Sequence, residues 1–266
     1  MRPFRFGLVA APRGTREQWV ATGHRALDRG FGTLLAPDGL GLHAPLPALA
    51  TVAAAVPGLR VGPFVLAAPM RPPHVAAWEG HSMTVLTDGR FEFGIGTGRP
   101  DARAEVERVG RSWGSGAQRL EQVRETVAAV RVLDGDGHTP VLIAAGGPRA
   151  LALAAEEADI VTLAAPPATP RAEVARMASL ARTGDRDPEL SMNVFVVGDE
   201  VPAWAARMVG DPAALPDDTL ARLRGTPRQM ADELLRRRDE LGVSYVAVGE
   251  AFVETFAPVA ELLGGR

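Results

Sequence analysis

The chain contains neither cysteine nor lysine, and all 29 of its basic residues are arginines. Without cysteine there is no thiol nucleophile, no disulfide and no thiolate-bound metal. Without lysine there is no Schiff-base catalysis, no covalent pyridoxal phosphate and no phosphate-binding lysine of the Walker type. These two absences remove several enzyme classes, and the wealth of alanine, arginine, glycine and proline indicates a GC-rich bacterial genome.

Positive charge and long apolar runs are also scarce. The net charge is −3 and the arginines are scattered, which argues against a nucleic-acid partner. No apolar run approaches the roughly 20 residues that cross a bilayer, so no membrane partner is indicated. Residues 1–9 run directly into a strand pattern and lack the apolar core of a signal peptide. The sequence therefore predicts a cytoplasmic protein.

Residues 87–99 form the most informative stretch of the chain. An Asp-Gly turn is followed by a strand with alternating apolar residues at 91, 93 and 95, and glycines stand at 94, 96 and 98. Glycine on one side of a strand end lets a flat ligand approach the backbone closely. The same glycines could instead serve only the packing of neighbouring elements, and the residues alone leave both interpretations open.

Eight predicted strands alternate with eight helical segments along residues 1–266, which we interpret as one domain. Such alternation predicts a parallel sheet, and eight units predict its closure into a (β/α)8 TIM barrel. Residues 198–225 contain three prolines and predict an irregular excursion. Ligands of these barrels bind at the C-terminal ends of the strands. The predicted strands are residues 4–10, 33–36, 59–68, 91–98, 140–147, 160–165, 190–197 and 244–248.

An anion site is predicted where Gly146 and Gly147 follow an apolar strand and Pro148 opens a helix. The free N–H groups and the positive end of the helix dipole converge there, and Arg149 adds a positive charge. The alternative is an ordinary turn before a proline-started helix.

Candidate catalytic side chains lie in the loops that follow the strands. Asp38 is the best-placed carboxylate for acid–base chemistry, although an aspartate before glycine also forms ordinary turns. His43 falls in the same loop, whereas Arg13, His74 and Glu250 are predicted substrate contacts. The histidine spacing indicates no metal site. A Gly-Arg-Ser-Trp-Gly sequence at 110–114 has the spelling of a nucleophile elbow, but a charged helical run precedes it, so we discard that interpretation.

Several segments together resemble the bacterial luciferase-like flavin and deazaflavin oxidoreductases, nearly from end to end. Residues 86–98, Leu-Thr-Asp-Gly-Arg-Phe-Glu-Phe-Gly-Ile-Gly-Thr-Gly, resemble the family's LSGGR-(F/L)-E-L-G-(L/I)-G-A-G signature. The resemblance is closest to the branch that uses coenzyme F420, a deazaflavin. Further matching segments are residues 6–9, 33–38, 140–148, 155–160 and 225–229.

The resemblance implies a luciferase-like barrel that transfers a hydride between F420 and a medium-sized organic substrate, in bacterial specialised metabolism. It also implies a homodimer, and the helices near residues 48–56 and 75–85 are apolar on more than one face. A non-prolyl cis peptide bond is expected near Ala67 and Ala68. By the same resemblance, the cofactor would be bound by Ala67, Ala68, Gly96, Thr97, Gly98, Gly146, Gly147 and Arg149. Asp38, His43 and Arg99 are our own candidates for acid–base catalysis and anchoring.

The chain also departs from the family pattern. Gly39 follows Asp38 where relatives often have histidine, and Arg99 replaces an aromatic residue. Between Leu133 and Pro140, after helix 4, a hairpin insertion that covers part of the pocket in relatives is shortened, which predicts a more open site. Two alternatives therefore stay open: an FMN-dependent luciferase-like monooxygenase, and a cofactor-independent cyclase, isomerase or binding protein on a remodelled barrel.

Overall fold

The computed structural model describes residues 1–199, 201, 206, 215–216 and 218–265. Parts of the predicted irregular excursion at 198–225 lie outside the described residues. The strands are β1 (Arg5–Val9), β2 (Thr33–Ala36), β3 (Arg60–Pro63), β4 (Leu66–Ala67), β5 (Phe93–Gly96), β6 (Val141–Ala145), β7 (Ile160–Leu163), β8 (Glu189–Val194), β9 (Val196–Val197), β10 (Arg222–Leu223) and β11 (Val243–Gly249). The helices are α1 (Arg16–Asp28), α2 (Pro45–Ala55), α3 (Pro73–Leu86), α4 (Arg103–Arg108), α5 (Gly116–Asp134), α6 (Pro148–Glu157), α7 (Arg171–Leu180), α8 (Pro227–Leu241) and α9 (Val253–Leu263).

The strands form a closed parallel barrel, as the alternating pattern predicts. The sheet order is β3-β2-β1-β11-β8-β7-β6-β5-β4, and every pairing within it is parallel. The two ends of this sheet, β3 and β4, are successive halves of one predicted strand. Val61 of β3 also bridges Phe91 just before β5, which closes the ring. The short strands β9 and β10 pair beside the barrel as a separate parallel pair.

The predicted third strand is interrupted rather than continuous. The peptide bond between Phe64 and Val65 is cis, and it separates β3 from β4. The expected non-prolyl cis bond is therefore present, but it lies ahead of Ala67 and Ala68 rather than beside them.

Local signals set the helix ends. Capping boxes start α1 at Thr15, α5 at Ser115 and α8 at Thr226, each with a glutamine three residues later. Helix α8 ends at Gly242, which adopts a left-handed backbone with φ of 72°. Within the described residues, no helix is both long enough and apolar enough to span a bilayer.

Two apolar clusters follow from the alternation of side chains along the strands. The larger cluster fills the layer between the strands and the surrounding helices. The smaller one fills the inside of the barrel and contains Leu35, Leu142, Ile160, Tyr245 and Ala247. Three partly exposed side chains, Val9, Phe64 and Val65, complete this inner cluster.

A network of two partly exposed arginines and two buried glutamates lies at the N-terminal end of the barrel. Arg5 bonds Glu92 (2.6 Å) and Glu189 (2.6 Å), and Arg60 also bonds Glu92 (2.8 Å). The hydroxyl of Tyr245 donates to Glu92 Oε2 (3.1 Å). Burial of the Tyr245 phenol and the neighbouring charge of Glu92 raise the pKa of Tyr245 well above its ordinary value. Paired charges therefore fill this end of the barrel.

The short connection between Leu133 and Pro140 lies at the same end of the barrel. Helix α5 ends at Asp134 and β6 starts at Val141, so the connection returns the chain to the N-terminal edge of the sheet. The carboxylate of Asp134 accepts bonds from the Thr139 amide (2.7 Å) and lies 2.9 Å from His81 Nδ1. The connection holds no hairpin between α5 and β6, and the expectation of a more open ligand site stays a prediction.

Candidate active site

The site predicted from the sequence is the C-terminal end of the barrel, where the loops after β1, β2, β4, β5, β6 and β11 gather. Ala67, Ala68 and Gly96 are buried there, and the residues Asp38, Thr97 and Gly98 are half-buried. Arg13, His43, His74, Arg99, Arg149 and Glu250 are all exposed.

The glycines at the end of β5 make room for atoms of neighbouring residues. A Cβ atom at Gly94 would collide with the carbonyl oxygen of Pro63, and one at Gly96 would lie 3.0 Å from Val65 Cγ2. Gly98 has φ of 81°, and a Cβ atom there would lie 3.0 Å from the indole of Trp113. Packing therefore explains all three glycines, and the half-buried side chains beside them belong to Val65 and Trp113.

Asp38 holds the loop after β2 against the end of β4. Its side chain is 4% exposed, and Oδ2 accepts a hydrogen bond from the Ala67 amide (3.1 Å). Arg71 donates to both carboxylate oxygens, from Nη1 to Oδ2 (2.7 Å) and from Nη2 to Oδ1 (3.0 Å). Burial acts to lower the pKa of Arg71, but the hydrogen bonds and charge of Asp38 outweigh it and raise that pKa. The carboxylate is thus occupied by its own chain.

The loops after β1 and β2 are tied together through His43. Its Nε2 lies 2.9 Å from the carbonyl oxygen of Gly14, and its amide donates to the carbonyl of Pro12 (2.9 Å). Glu105 of α4 accepts from the amide of Leu40 (3.0 Å), which fastens the same loop from the other side. By contrast, Arg99 pairs with Asp101 (3.0 Å) in solvent and contacts none of these groups.

The start of α6 offers backbone amides to the ligand side. Gly147 is the N-cap, and no side chain caps this helix end. A Cβ atom at Gly147 would meet nothing within 4 Å, whereas one at Gly146 would lie 2.8 Å from the carbonyl oxygen of Ala164. Gly146 is therefore required by packing, Gly147 faces open space, and the exposed Arg149 adds a positive charge in the first turn.

Sequence reasoning missed the segment between α4 and α5, residues 109–115. Arg111 donates to the carbonyl of Pro69 (2.9 Å), and Arg119 donates to the carbonyls of Thr97 (2.9 Å) and Gly114 (2.9 Å). The guanidinium of Arg119 also lies 4.1 Å from the ring centroid of Trp113. The only sequence signal was an aromatic residue between two glycines, and that stretch was considered solely as a nucleophile elbow.

Two hydroxyl groups inside the barrel have no hydrogen-bond partner among the described residues. Thr162 of β7 and Ser191 of β8 are paired across the sheet, and they are 5% and 0% exposed. Within the part of the chain that the structure describes, neither Oγ1 of Thr162 nor Oγ of Ser191 has a partner. Asn193, two residues beyond Ser191, is half-buried.

Comparisons with known proteins agree with this architecture. Residues 5–210 match the family model described as luciferase-like monooxygenase. No curated protein sequence matches the chain. Because their identities to this chain are all below 20%, the similar solved structures below show the fold alone.

The similar structures cover almost the whole chain. The coenzyme F420-dependent tetrahydromethanopterin reductase of Methanopyrus kandleri has a TM-score of 0.73 at 15% identity, over 98% of each chain. Monooxygenase RslO1 of Streptomyces bottropensis has a TM-score of 0.70 at 19% identity, over 97% of each chain. The oxygenating constituent of 3,6-diketocamphane monooxygenase of Pseudomonas putida, in complex with FMN, has a TM-score of 0.68 at 12% identity, over 98% of this chain and 96% of the other.

Proposed function

Because the chain belongs to the luciferase-like monooxygenase family, we propose that it is an oxidoreductase that binds coenzyme F420 at the C-terminal end of its barrel. The second reactant is a medium-sized organic substrate of bacterial specialised metabolism. One observation carries the proposal: an uncapped helix start at Gly147 and half-buried surfaces of Val65 and Trp113 stand at the same end of the barrel. The likeness to an F420-dependent reductase supports it.

The residues at this end fit a phosphate-bearing cofactor. Gly147 leaves space that a side chain would fill, the first-turn amides of α6 have no side-chain cap, and Arg149 is exposed beside them. These groups bind an anion without lysine, which the chain lacks. We therefore assign the phosphate to Gly146, Gly147 and Arg149, and the ring to Ala67, Ala68, Gly96, Thr97 and Gly98 together with Val65. When bound, the cofactor would supply or accept a hydride.

The chain's own residues position the reactants and handle the proton. Asp38 is a positioning residue in this proposal, because its carboxylate fixes the Ala67 amide and Arg71. His43 is the proton donor or acceptor, since it is exposed at the ligand end and held by Gly14. Arg99 anchors an anionic group of the substrate. Arg13, His74 and Glu250 are exposed around the same opening and contact the substrate.

A second candidate function is an FMN-dependent monooxygenase that uses O2 as its oxidant. The family description and the likeness to an FMN-bound oxygenase favour it. The phosphate site proposed at α6 suits FMN and F420 alike. A cofactor-independent cyclase, isomerase or binding protein is the third possibility, and it is an outcome of the experiment below.

We also propose that the protein is a homodimer. The α2 residues Leu49 and Val52 are buried against the barrel of their own chain, whereas α3 exposes Trp78 (65%), Val85 (61%) and Leu86 (77%). Helix α3 is therefore the proposed contact between two copies. The cytoplasmic location stays a prediction.

The experiment that tests the proposal is a titration of the purified protein with F420 and with FMN, followed by the emission of each ring. Binding of F420 at micromolar concentration, with weaker binding of FMN, is the expected result. Tighter binding of FMN would favour the monooxygenase. Binding of neither at tens of micromolar would refute both cofactor functions and leave the cofactor-independent barrel.

A further inference from the structure

Trp113 stands beside the last glycine of the β5 strand end. The edge of its six-membered ring is 3.0 Å from the position that a Cβ atom of Gly98 would take. The Cβ atom of Ala67 is 3.5 Å from that same position. Trp113 is half-buried, so part of the indole remains open to solvent at the ligand end of the barrel.

The indole contacts an arginine that is itself fixed, and the segment that carries it is bonded to the barrel. The guanidinium of Arg119 lies 4.1 Å from its ring centroid, and the same side chain bonds the carbonyls of Thr97 and Gly114. Arg111 fastens the segment to the carbonyl of Pro69 beyond β4. Rotation of Trp113 away from Gly98 would give up its contact with the Arg119 guanidinium, so the free protein already favours this position of the indole.

We propose that Trp113 is a wall of the ring pocket and makes direct contact with the bound tricyclic ring. This inference rests on the proposed function. The glycines no longer offer a bare backbone, because Val65 and Trp113 occupy the space beside Gly96 and Gly98. A planar aromatic ring at this end therefore meets an aliphatic surface and an indole. Aromatic pairs contribute beyond the apolar area that they bury, and Trp113 thereby sets the affinity for the ring independently of the phosphate.

The test uses two pairs of ligands, each with one member that carries phosphate and one that does not. The first pair is FMN and riboflavin, and the second is F420 and the corresponding deazaflavin without its phosphate-bearing tail. We expect Trp113→Ala to raise the Kd of whichever cofactor the protein binds at least about tenfold. The Kd of its phosphate-free form should rise by a similar factor. Contact with an indole quenches flavin and deazaflavin emission. Trp113→Phe keeps an aromatic wall, so it should change the Kd less than about threefold while the bound ring becomes more emissive.

The matched control is Trp78→Phe, which replaces an indole on the outer surface of α3 and should alter neither the Kd nor the emission. Unchanged affinity in Trp113→Ala, with equally quenched emission in Trp113→Phe, would overturn this inference while leaving the proposed function intact. If Trp113→Ala does not fold, the emission of Trp113→Phe decides alone. Failure of the wild type to bind any of the four ligands would overturn the proposed function, and this inference with it.

Discussion

Both terminal nitrogens of the Arg71 guanidinium donate hydrogen bonds to the carboxylate of Asp38, at 2.7 and 3.0 Å. The two residues are 33 positions apart in the chain, and the pair joins the loop after β2 to the segment after β4. The amide of Ala67 adds a third hydrogen bond to the same carboxylate. Because the Asp38 carboxylate already accepts three hydrogen bonds, it is suited to fixing the two loops rather than to exchanging protons.

Asp38→Asn should therefore lower the free energy of unfolding by about 2 kcal/mol, because it leaves the largely buried Arg71 without its counter-charge. Activity should fall while the inflections of its pH profile stay where they are. Urea unfolding and a pH–rate profile measure the two effects. Asp101→Asn, which breaks an exposed ion pair, is the stability control and should cost no more than about 0.5 kcal/mol. Loss of an inflection in Asp38→Asn would instead identify Asp38 as the proton-transferring group.

Gly147→Glu should weaken binding of the phosphate-bearing cofactor about thirtyfold, or about 2 kcal/mol, because it places a carboxylate in the open space before α6. Binding of the phosphate-free ring should change little. The control is Gly32→Glu, an exposed glycine just ahead of β2 at the opposite end of the barrel, where a Cβ atom also meets nothing within 4 Å. If Gly147→Glu and Gly32→Glu bound the phosphate-bearing cofactor equally well, the proposed phosphate site at α6 would be wrong.

The fold was predictable because its signals are local. Alternating strands and helices, a capping box at Thr226 and a helix stop at Gly242 each act within a few residues, and all agree with the closed barrel. The break in the third strand at Phe64 has no local signal of this kind, and sequence reasoning treated residues 59–68 as continuous.

Sequence reasoning predicted at which end of the barrel the candidate site lies, but not which side chains line it. The glycines of β5 suggested a bare surface, but the atoms that fill the space come from Val65 and Trp113, which approach from other segments. The pairing of Asp38 with Arg71 could not be predicted either, because it depends on how two loops pack against each other. Such contacts are tertiary, and no periodicity or spacing in a single sequence encodes them.

Glu233 should make stability depend on pH in acid. Burial acts to raise the pKa of Glu233, but the hydrogen bond and charge of Arg237, with Arg171 and Arg236, lower it from 4.5 to about 2. A lowered carboxyl pKa gives stability that is present above pH 4.5 and is lost as the pH falls towards 2. Urea unfolding across this range should therefore show a steeper loss in the wild type than in Glu233→Gln.

At neutral pH, Glu233→Gln should cost about 3 kcal/mol, because the side chain of Arg237 is only 2% exposed and loses its carboxylate partner. Glu240→Gln is the matched control on the same helix. Glu240 pairs with Arg171 but is 48% exposed, so its loss should cost under about 1 kcal/mol. Similar costs for both variants would contradict a special role for the buried pair.

Val85→Glu should convert the proposed dimer into a monomer, because it places a charge on the apolar surface of α3. Light scattering after gel filtration at micromolar concentration gives the mass. Leu27→Glu, at a less exposed apolar residue on α1, is the control and should leave the dimer intact. A wild-type protein that is already a monomer at that concentration would rule the dimer out.

Thr162→Val should leave the free energy of unfolding unchanged or raise it by about 1 kcal/mol. The substitution keeps the shape of the side chain and removes a buried hydroxyl that has no partner among the described residues. Thr139→Val is the comparison, since the fully buried hydroxyl of Thr139 bonds Asp134 (2.8 Å) and Thr84 (2.8 Å), and its loss should cost about 2 kcal/mol. Urea unfolding measures both. A loss of 1 kcal/mol or more in Thr162→Val would mean that an internal water bonds this hydroxyl inside the barrel.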